Sequence, residues 1–183
     1  MSNFKKITTL GLIFTSTLSL AACGHEEDVI DISNMEEIYE SLYVGSTDDW
    51  EYAGNIMGAE AWIVDETATF NILSEGMKGH SEDEYLEATL YHLEQGFGLD
   101  SDEIDVDETS FNGYDATVIS YTTDSFGVDQ ALQQYIIYGE DTAYVLSISD
   151  TTGELSEDSI DKVEDVLDSL VIQEESKLLK EEE

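Results

Sequence analysis

Chemistry in this chain starts from Cys23, the only cysteine among 183 residues. A thiolate is the strongest side-chain nucleophile and a natural acceptor for a transferred lipid group. Leu20-Ala21-Ala22 stand directly before it. Residues 7–20 form a short apolar run without a charge, and Lys5 and Lys6 precede that run. A positive head, a short apolar middle and a small-residue exit are the marks of a cleaved export signal. The run is also shorter than the roughly 20 residues that a spanning helix needs. Residues 1–22 therefore read as a signal peptide and Cys23 as the first residue behind it.

The four residues Leu20-Ala21-Ala22-Cys23 resemble the bacterial lipobox. The resemblance implies cleavage between Ala22 and Cys23, a thioether-linked diacylglycerol on Cys23, and acylation of the new amino terminus by a fatty acid of the palmitate type. It implies a lipoprotein held on the extracytoplasmic face of the cell membrane. Two or three chains give stable anchoring, whereas one myristoyl chain gives only about 10⁴ M⁻¹. Gly24 follows the cysteine, so the aspartate of an inner-membrane retention signal is absent. The blander alternative is a free, buried cysteine behind an ordinary signal. A lipidated Cys23 leaves no disulfide within the chain, and the exported part must then rely on its hydrophobic core.

No other residue set reaches a catalytic pattern. His25, His80 and His92 are the three histidines. His25 lies beside Glu26, Glu27 and Asp28 in a stretch that reads as a solvated tether, and His92 reads as a surface residue. Neither HExxH nor Gly-x-Ser-x-Gly occurs, and no glycine-rich phosphate loop is present. The densest acidic run is Asp100-Ser101-Asp102-Glu103-Ile104-Asp105-Val106-Asp107-Glu108. Counted from Asp100 as an EF-hand, it puts Asp105 where glycine is needed and Phe111 where glutamate is needed. Weak, unselective association with divalent cations is the most it supports. Trp50, Trp62 and the tyrosines could line a ligand pocket, but packing is their commoner use. No catalytic, cofactor-binding or metal-ligating residue is assigned, and the chain is expected not to be an enzyme.

Charge narrows the partners further. The chain carries 43 acidic residues against six lysines and has neither arginine nor proline. Loss of the leader removes two lysines and no acid, which leaves four lysines against 43 acids and a formal charge of −39. Nucleic acid is excluded as a partner, because its phosphates must be neutralised by basic side chains. An anionic lipid surface repels such a domain, so the lipid on Cys23 must hold what electrostatics pushes away. Two readings of the acidity stay open. One is a solvated surface suited to a salty habitat, and it is favoured because the acids are spread along the whole chain. The other is a surface for cations or for a basic partner.

A hydrophobic content of 41% is enough for a core, so residues 33–172 read as one folded domain. Residues 23–32 read as an acidic flexible tether and residues 173–183 as a charged tail. Ser33 and Glu36 fit a capping box, with Met35, Ile38 and Leu42 on one face, so a helix is expected over residues 33–43. Strands are expected over 50–57, 59–64 and 67–73. A second capping box, Ser81 with Glu84, opens a helix whose stripe is Leu86, Leu90, Leu93 and Phe97. Asn112-Gly113 predicts a tight hairpin between strands at 103–109 and 114–122. Strands over 133–138 and 142–149 follow. Ser156 then opens a final helix with Ile160, Val163, Leu167 and Leu170 on its stripe, and Val171-Ile172 returns as a short edge strand. Apolar residues on both faces of the later strands predict a sheet covered on both sides. The fold class is α+β, a mainly antiparallel sheet of five to six strands with helices on both faces.

The order of these elements resembles the Mog1/PsbP-like α/β/α sandwich found in small bacterial lipoproteins. Three stretches carry the resemblance: Phe111-Asn112-Gly113-Tyr114-Asp115-Ala116, Gln134-Tyr135-Ile136-Ile137-Tyr138 and Ala143-Tyr144-Val145-Leu146-Ser147-Ile148. The ending Val166-Leu167-Asp168-Ser169-Leu170-Val171-Ile172 adds to it, and coverage is about residues 50–172. A proline before a tryptophan near the first strand, common in the family, is missing here. The resemblance implies a non-enzymatic binding or assembly role and transfers no functional residue. The expected function is that of a membrane-anchored lipoprotein that binds a protein or cell-envelope component. A cation-binding or cation-sensing surface protein is the alternative. Self-repulsion at this charge opposes the compact state. The melting temperature should therefore rise with sodium chloride over the first few hundred millimolar, and a flat salt dependence would contradict the argument.

Overall fold

The computed structural model describes residues 35–173, apart from residues 40, 41, 46, 48, 49, 57 and 126. The expected signal peptide, Cys23, the expected tether with His25, and residues 174–183 of the expected tail lie outside the described residues. Two meanders, joined by a crossover through a helix, build the main sheet. Strand β3 (Glu51–Ile56) turns into β4 (Ala59–Ile63) and β5 (Ala68–Gly76). After helix α1 (Glu82–Phe97) and a short 3-10 turn come β6 (Ile104–Phe111), β7 (Tyr114–Ser125), β8 (Val128–Tyr138) and β9 (Thr142–Asp150). The seven strands run in the order β3-β4-β5-β9-β8-β7-β6, and each neighbouring pair is antiparallel. Strands β1 (Glu36–Tyr39), β2 (Leu42–Val44) and β10 (Val171–Ile172) form a separate sheet in the order β1-β2-β10. Helix α2 (Glu157–Leu167) precedes β10.

The helix expected over residues 33–43 is replaced by the β1–β2 hairpin. Glu36 pairs with Val44 and Tyr39 with Leu42. Leu42 and Val44 are both fully buried and Tyr43 between them is not, which is the period of a strand. A short apolar run fits either period, and here tertiary pairing decides: β2 also accepts β10, with Val171 opposite Tyr43 and Ile172 opposite Leu42. The strand count also exceeds the expected five to six. The small sheet depends on pairing between distant segments, and β5, β7 and β8 each run longer than their apolar stretches.

The strands alternate between two apolar clusters. Tyr135 and Ile137 of β8 belong to one and Ile136 to the other. The first cluster combines Trp62, Phe70, Ile72, Leu146 and Ile148 of the sheet with Val163, Val166 and Leu167 of α2 and with Leu42, Val44 and Ile172 of the small sheet. Helix alone does not close this face. The second cluster sets Ile104, Ile119, Tyr121, Ile136 and Ala143 against Leu93 of α1, with Leu86 and Leu90 partly buried beside them. Further along, Thr69 on β5 is exposed and Ile63 on β4 is 39% exposed. Trp62 is core, and Trp50 packs edge-on against Phe70 at 5.3 Å between centroids, so both tryptophans serve packing.

Local chemistry sets the turns. The hydroxyl of Ser81 accepts from the Glu84 N–H at 3.3 Å and the Glu84 carboxylate accepts from the Ser81 N–H at 2.9 Å, which completes the capping box. Gly98 closes α1 in the left-handed region at φ 71°. Asn112 and Gly113 both take positive φ, 47° and 85°, as a two-residue hairpin requires. The Asn112 side chain also donates to the Leu170 carbonyl at 2.7 Å, and the Tyr114 hydroxyl accepts from the Ile172 N–H at 3.0 Å. These two bonds tie the β6–β7 turn to the start of β10.

Candidate functional site

Among the concavities that hold polar side chains from more than one element, three bear on function. The first, of about 480 Å³, lies at the turn between β4 and β5 and is lined by Asp65, Thr67, Asp150, Thr152 and Ser156, among others. Asp65 accepts from the backbone N–H groups of Thr67 at 2.9 Å and Ala68 at 2.8 Å, and from the Ser159 hydroxyl at 2.7 Å. The backbone donor of Thr67, followed by the Ser159 hydroxyl, holds the Asp65 carboxyl at about 2, below its ordinary 3.8. Asp150 is 4% exposed and accepts from the Thr67 hydroxyl at 2.9 Å and from the N–H and hydroxyl of Thr152, each at 2.7 Å. Here protein donors engage both carboxylates. Their joint effect is to clamp the β4–β5 turn to the end of β9 and to the first turn of α2.

The second concavity, of about 490 Å³, lies where β2 leads away beside α2 and is lined by Gly45, Thr47, Trp50, Val64, Lys162 and Ser169, among others. The Gly45 N–H donates to the Ser169 hydroxyl at 2.8 Å, and a methyl group on Gly45 would collide with that hydroxyl. Lys162 is one of the two described lysines and pairs with Asp158 at 2.6 Å, and this bond raises the lysine's pKa.

The third concavity, of about 320 Å³, is the strongest candidate. It gathers Glu82 and Asp83 from the first turn of α1, Glu108 from β6, Asp115 from β7, and Tyr138 from β8 over the buried Thr117. The Tyr138 and Thr117 hydroxyls lie 3.5 Å apart, and Tyr85 meets the Tyr138 ring edge-on at 6.3 Å. Burial raises the Tyr138 hydroxyl's pKa, and the charges of Glu82 and Asp83 add to the shift. Four carboxylates around a half-buried phenol suit a cationic or basic group and repel an anion.

The residues singled out by type and spacing are scattered in space. Residues 101–103 of the acidic run form the 3-10 turn, and the following five residues enter β6, so the run is not a cation loop. His80 stands beside Glu84 at 3.7 Å, and His92 is exposed on α1. Among the described residues no group of three or more His, Cys, Asp or Glu side chains is arranged to hold a metal ion. Sequence reasoning misses the Asp65–Asp150 clamp. Asp65 two places before Thr67, and Asp150 two before Thr152, are the local signals for side-chain turns, but the bond to Ser159 spans 94 positions. No helix among the described residues is long and apolar enough to cross a membrane.

No family model matches the chain, and no curated protein matches it. Solved structures are similar in fold. A protein from Bacteroides thetaiotaomicron aligns with a TM-score of 0.52 at 14% identity, covering 74% of this chain and 46% of that one. This chain therefore spans about 46% of that protein's length. PA94 of Pseudomonas aeruginosa, a protein of unknown function, aligns at 0.50 and 15% identity over 72% of this chain and 92% of its own. LpqN, involved in cell envelope biogenesis of Mycobacterium tuberculosis, gives 0.49 and 12% identity over 73% and 83%. The likeness to the first two is a likeness of fold.

The Asp65 clamp gives a pH dependence with a defined sign. A carboxyl held below its unfolded value adds stability that is complete above about pH 4 and is lost as the pH falls through about 2. Asp65→Asn should lower stability at neutral pH by about 1–2 kcal/mol and should flatten the acid limb between those values. Urea unfolding of both proteins at pH 7 and pH 3 measures this, and an equal loss at both pH values would contradict it.

Proposed function

We propose that the protein is a lipoprotein, lipidated at Cys23 and anchored on the extracytoplasmic face of the cell membrane. Its domain is non-catalytic and binds a protein or cell-envelope component. The observation that carries the reading is Leu20-Ala21-Ala22-Cys23 directly behind a charged head and an apolar run, with no second cysteine in the chain. The finer fold assignment, an α/β/α sandwich of the Mog1/PsbP-like type, belongs to the same proposal. Its support is the seven-stranded antiparallel order and the alternation of β8 and β9 between a cluster that includes α2 and one that includes α1. Eleven residues lie between Cys23 and Met35, so the twelve steps from one to the other span at most about 40 Å when extended. Such a reach would let a domain of strongly negative net charge stand clear of an anionic headgroup layer whose potential decays over about 8 Å at physiological salt. The charge also argues against nucleic acid as a partner. Mass spectrometry of the N-terminal peptide from membrane-extracted protein is the test. A diacylglyceryl adduct on an N-terminal Cys23 is expected. An unmodified cysteine, or a different N-terminus, would overturn the reading.

A second reading, a cation-binding or cation-sensing surface, is favoured by one observation, the carboxylates of Glu82, Asp83, Glu108 and Asp115 around one concavity. It requires calcium to raise the melting temperature well beyond sodium at equal ionic strength, with saturation. Equal shifts would leave screening as the whole effect.

A further inference from the structure

We propose that the outer edge of β6 is a docking strip for an extended, basic segment of a partner protein, which joins the large sheet as an eighth strand. The inference rests on the partner-binding reading above and names the surface and the chemistry of the partner.

The starting observation is the edge itself. Strand β6 ends the sheet, and it pairs with β7 in unbroken register from Ile104 opposite Tyr121 to Phe111 opposite Tyr114. Only those two end residues are buried, and residues 105–110 are exposed on both faces. Among the described residues no strand takes up the backbone donors and acceptors on the other side of β6. A regular, bulge-free edge of this length is the kind of template on which strand addition works. The opposite end of the sheet is different. Strand β3 carries a bulge between Tyr52 and Gly54, with Gly54 at φ 103°, and a bulged edge does not present a continuous ladder.

Charge selects the occupant. Val106 and Glu108 lie opposite Ile119 and Thr117 and share the face that carries α1, so Glu108 joins Glu82, Asp83 and Asp115 there. Asp105 and Asp107 point to the other face. A second copy of β6 would bring the same acids against themselves, so the edge excludes self-pairing. A neutral strand would gain backbone bonds alone. A basic strand would gain charge pairs on both faces as well, and the sign that rejects a second copy admits it. Register makes the demand specific. Asp107 and Glu108 are consecutive, so the residues opposite them are consecutive too. An antiparallel partner read along Glu108, Asp107, Val106 and Asp105 is basic, basic, apolar, basic. Val106, 41% exposed, receives the apolar residue.

The test is a fluorescence-anisotropy titration of detergent-solubilised full-length protein into a labelled twelve-residue peptide with Lys-Lys-Val-Lys at its centre, at about 0.15 M salt. Saturable one-to-one binding is expected. The D107K/E108K protein should bind about tenfold more weakly, while D161K/D168K, with the same change in net charge on exposed positions of α2 and its C-terminal cap, should stay within about twofold. The same peptide, N-methylated at alternate residues, keeps its charge and loses backbone donors, and unmodified protein should bind it about tenfold more weakly. Equal weakening in the two double variants, or no effect of N-methylation, would reduce the binding to general attraction and overturn the proposal. Absence of saturable binding would overturn it as well. None of these results touches the lipoprotein reading, which the mass of the Cys23 peptide decides separately.

Discussion

Strand β9 has no side that it can turn to water. Tyr144, Leu146 and Ile148 are buried in the cluster that includes α2, while Ala143 and Val145 pack in the cluster that includes α1. A central strand that is apolar on both faces obliges the chain to supply cover twice. Each fully buried Leu or Ile removes apolar surface worth about 1.5–3 kcal/mol relative to exposure. On one face α2 is too short to do this alone, and the β1–β2 hairpin with β10 completes it. The small sheet is thus a consequence of the large one. Its central strand, β2, exists to put Leu42 and Val44 into a core that α2 leaves open.

The same molecule has to fold under a large negative charge. Several carboxylates are made useful locally, as acceptors for backbone N–H groups that would otherwise lack partners. Glu84 serves Ser81, Glu103 serves Asp100, Asp124 serves Gly127, and Asp65 serves Thr67 and Ala68. An anionic acceptor makes a stronger bond to an N–H than a neutral one does. These acids fix turns and helix starts and contribute to the fold through short-range bonds that salt barely weakens. Most other acids among the described residues, Asp150 apart, are at least partly exposed, and their mutual repulsion is what added salt screens.

Legibility from sequence followed the range of the determining interaction. The Ser81–Glu84 capping box, the Asn112-Gly113 hairpin and the alternation of β9 depend on neighbours within a few positions, and the structure has all three. The helix expected over residues 33–43 failed because its apparent stripe of Ile38 and Leu42 serves a hairpin equally well. What decides between them is Val171 and Ile172, more than a hundred residues later. The ends of β7 and β8 at their shared turn mix polar and apolar residues, Thr122 through Ser125 against Val128 through Ala131, and pairing across the hairpin makes them strand. The acidic run at residues 100–108 was legible as acidic. The strand expected over 103–109 is present as β6, because the Asn112-Gly113 turn fixes its pairing, whereas the 3-10 turn over residues 101–103 and the place of β6 at the edge of the sheet follow from the order of all seven strands.

The two edges of the large sheet are managed by different means, and the difference bears on where a partner can approach. Tyr39 of β1 donates to the Ile72 carbonyl of β5 at 2.7 Å and to the Gly58 carbonyl at the β3–β4 turn at 3.2 Å. The end of β1 therefore lies beside β3, β4 and β5. Strand β6 stands four places beyond β5, about 19 Å away at the usual strand spacing. The irregularity at Tyr52–Gly54 breaks the ladder of β3 on the side near Tyr39. On the far side regular backbone is kept, and acids alone guard it. A bulge disfavours any added strand whatever its charge, whereas acids disfavour only those of like sign. Protection by charge is thus selective, and it falls on the edge farther from the Tyr39 end of β1.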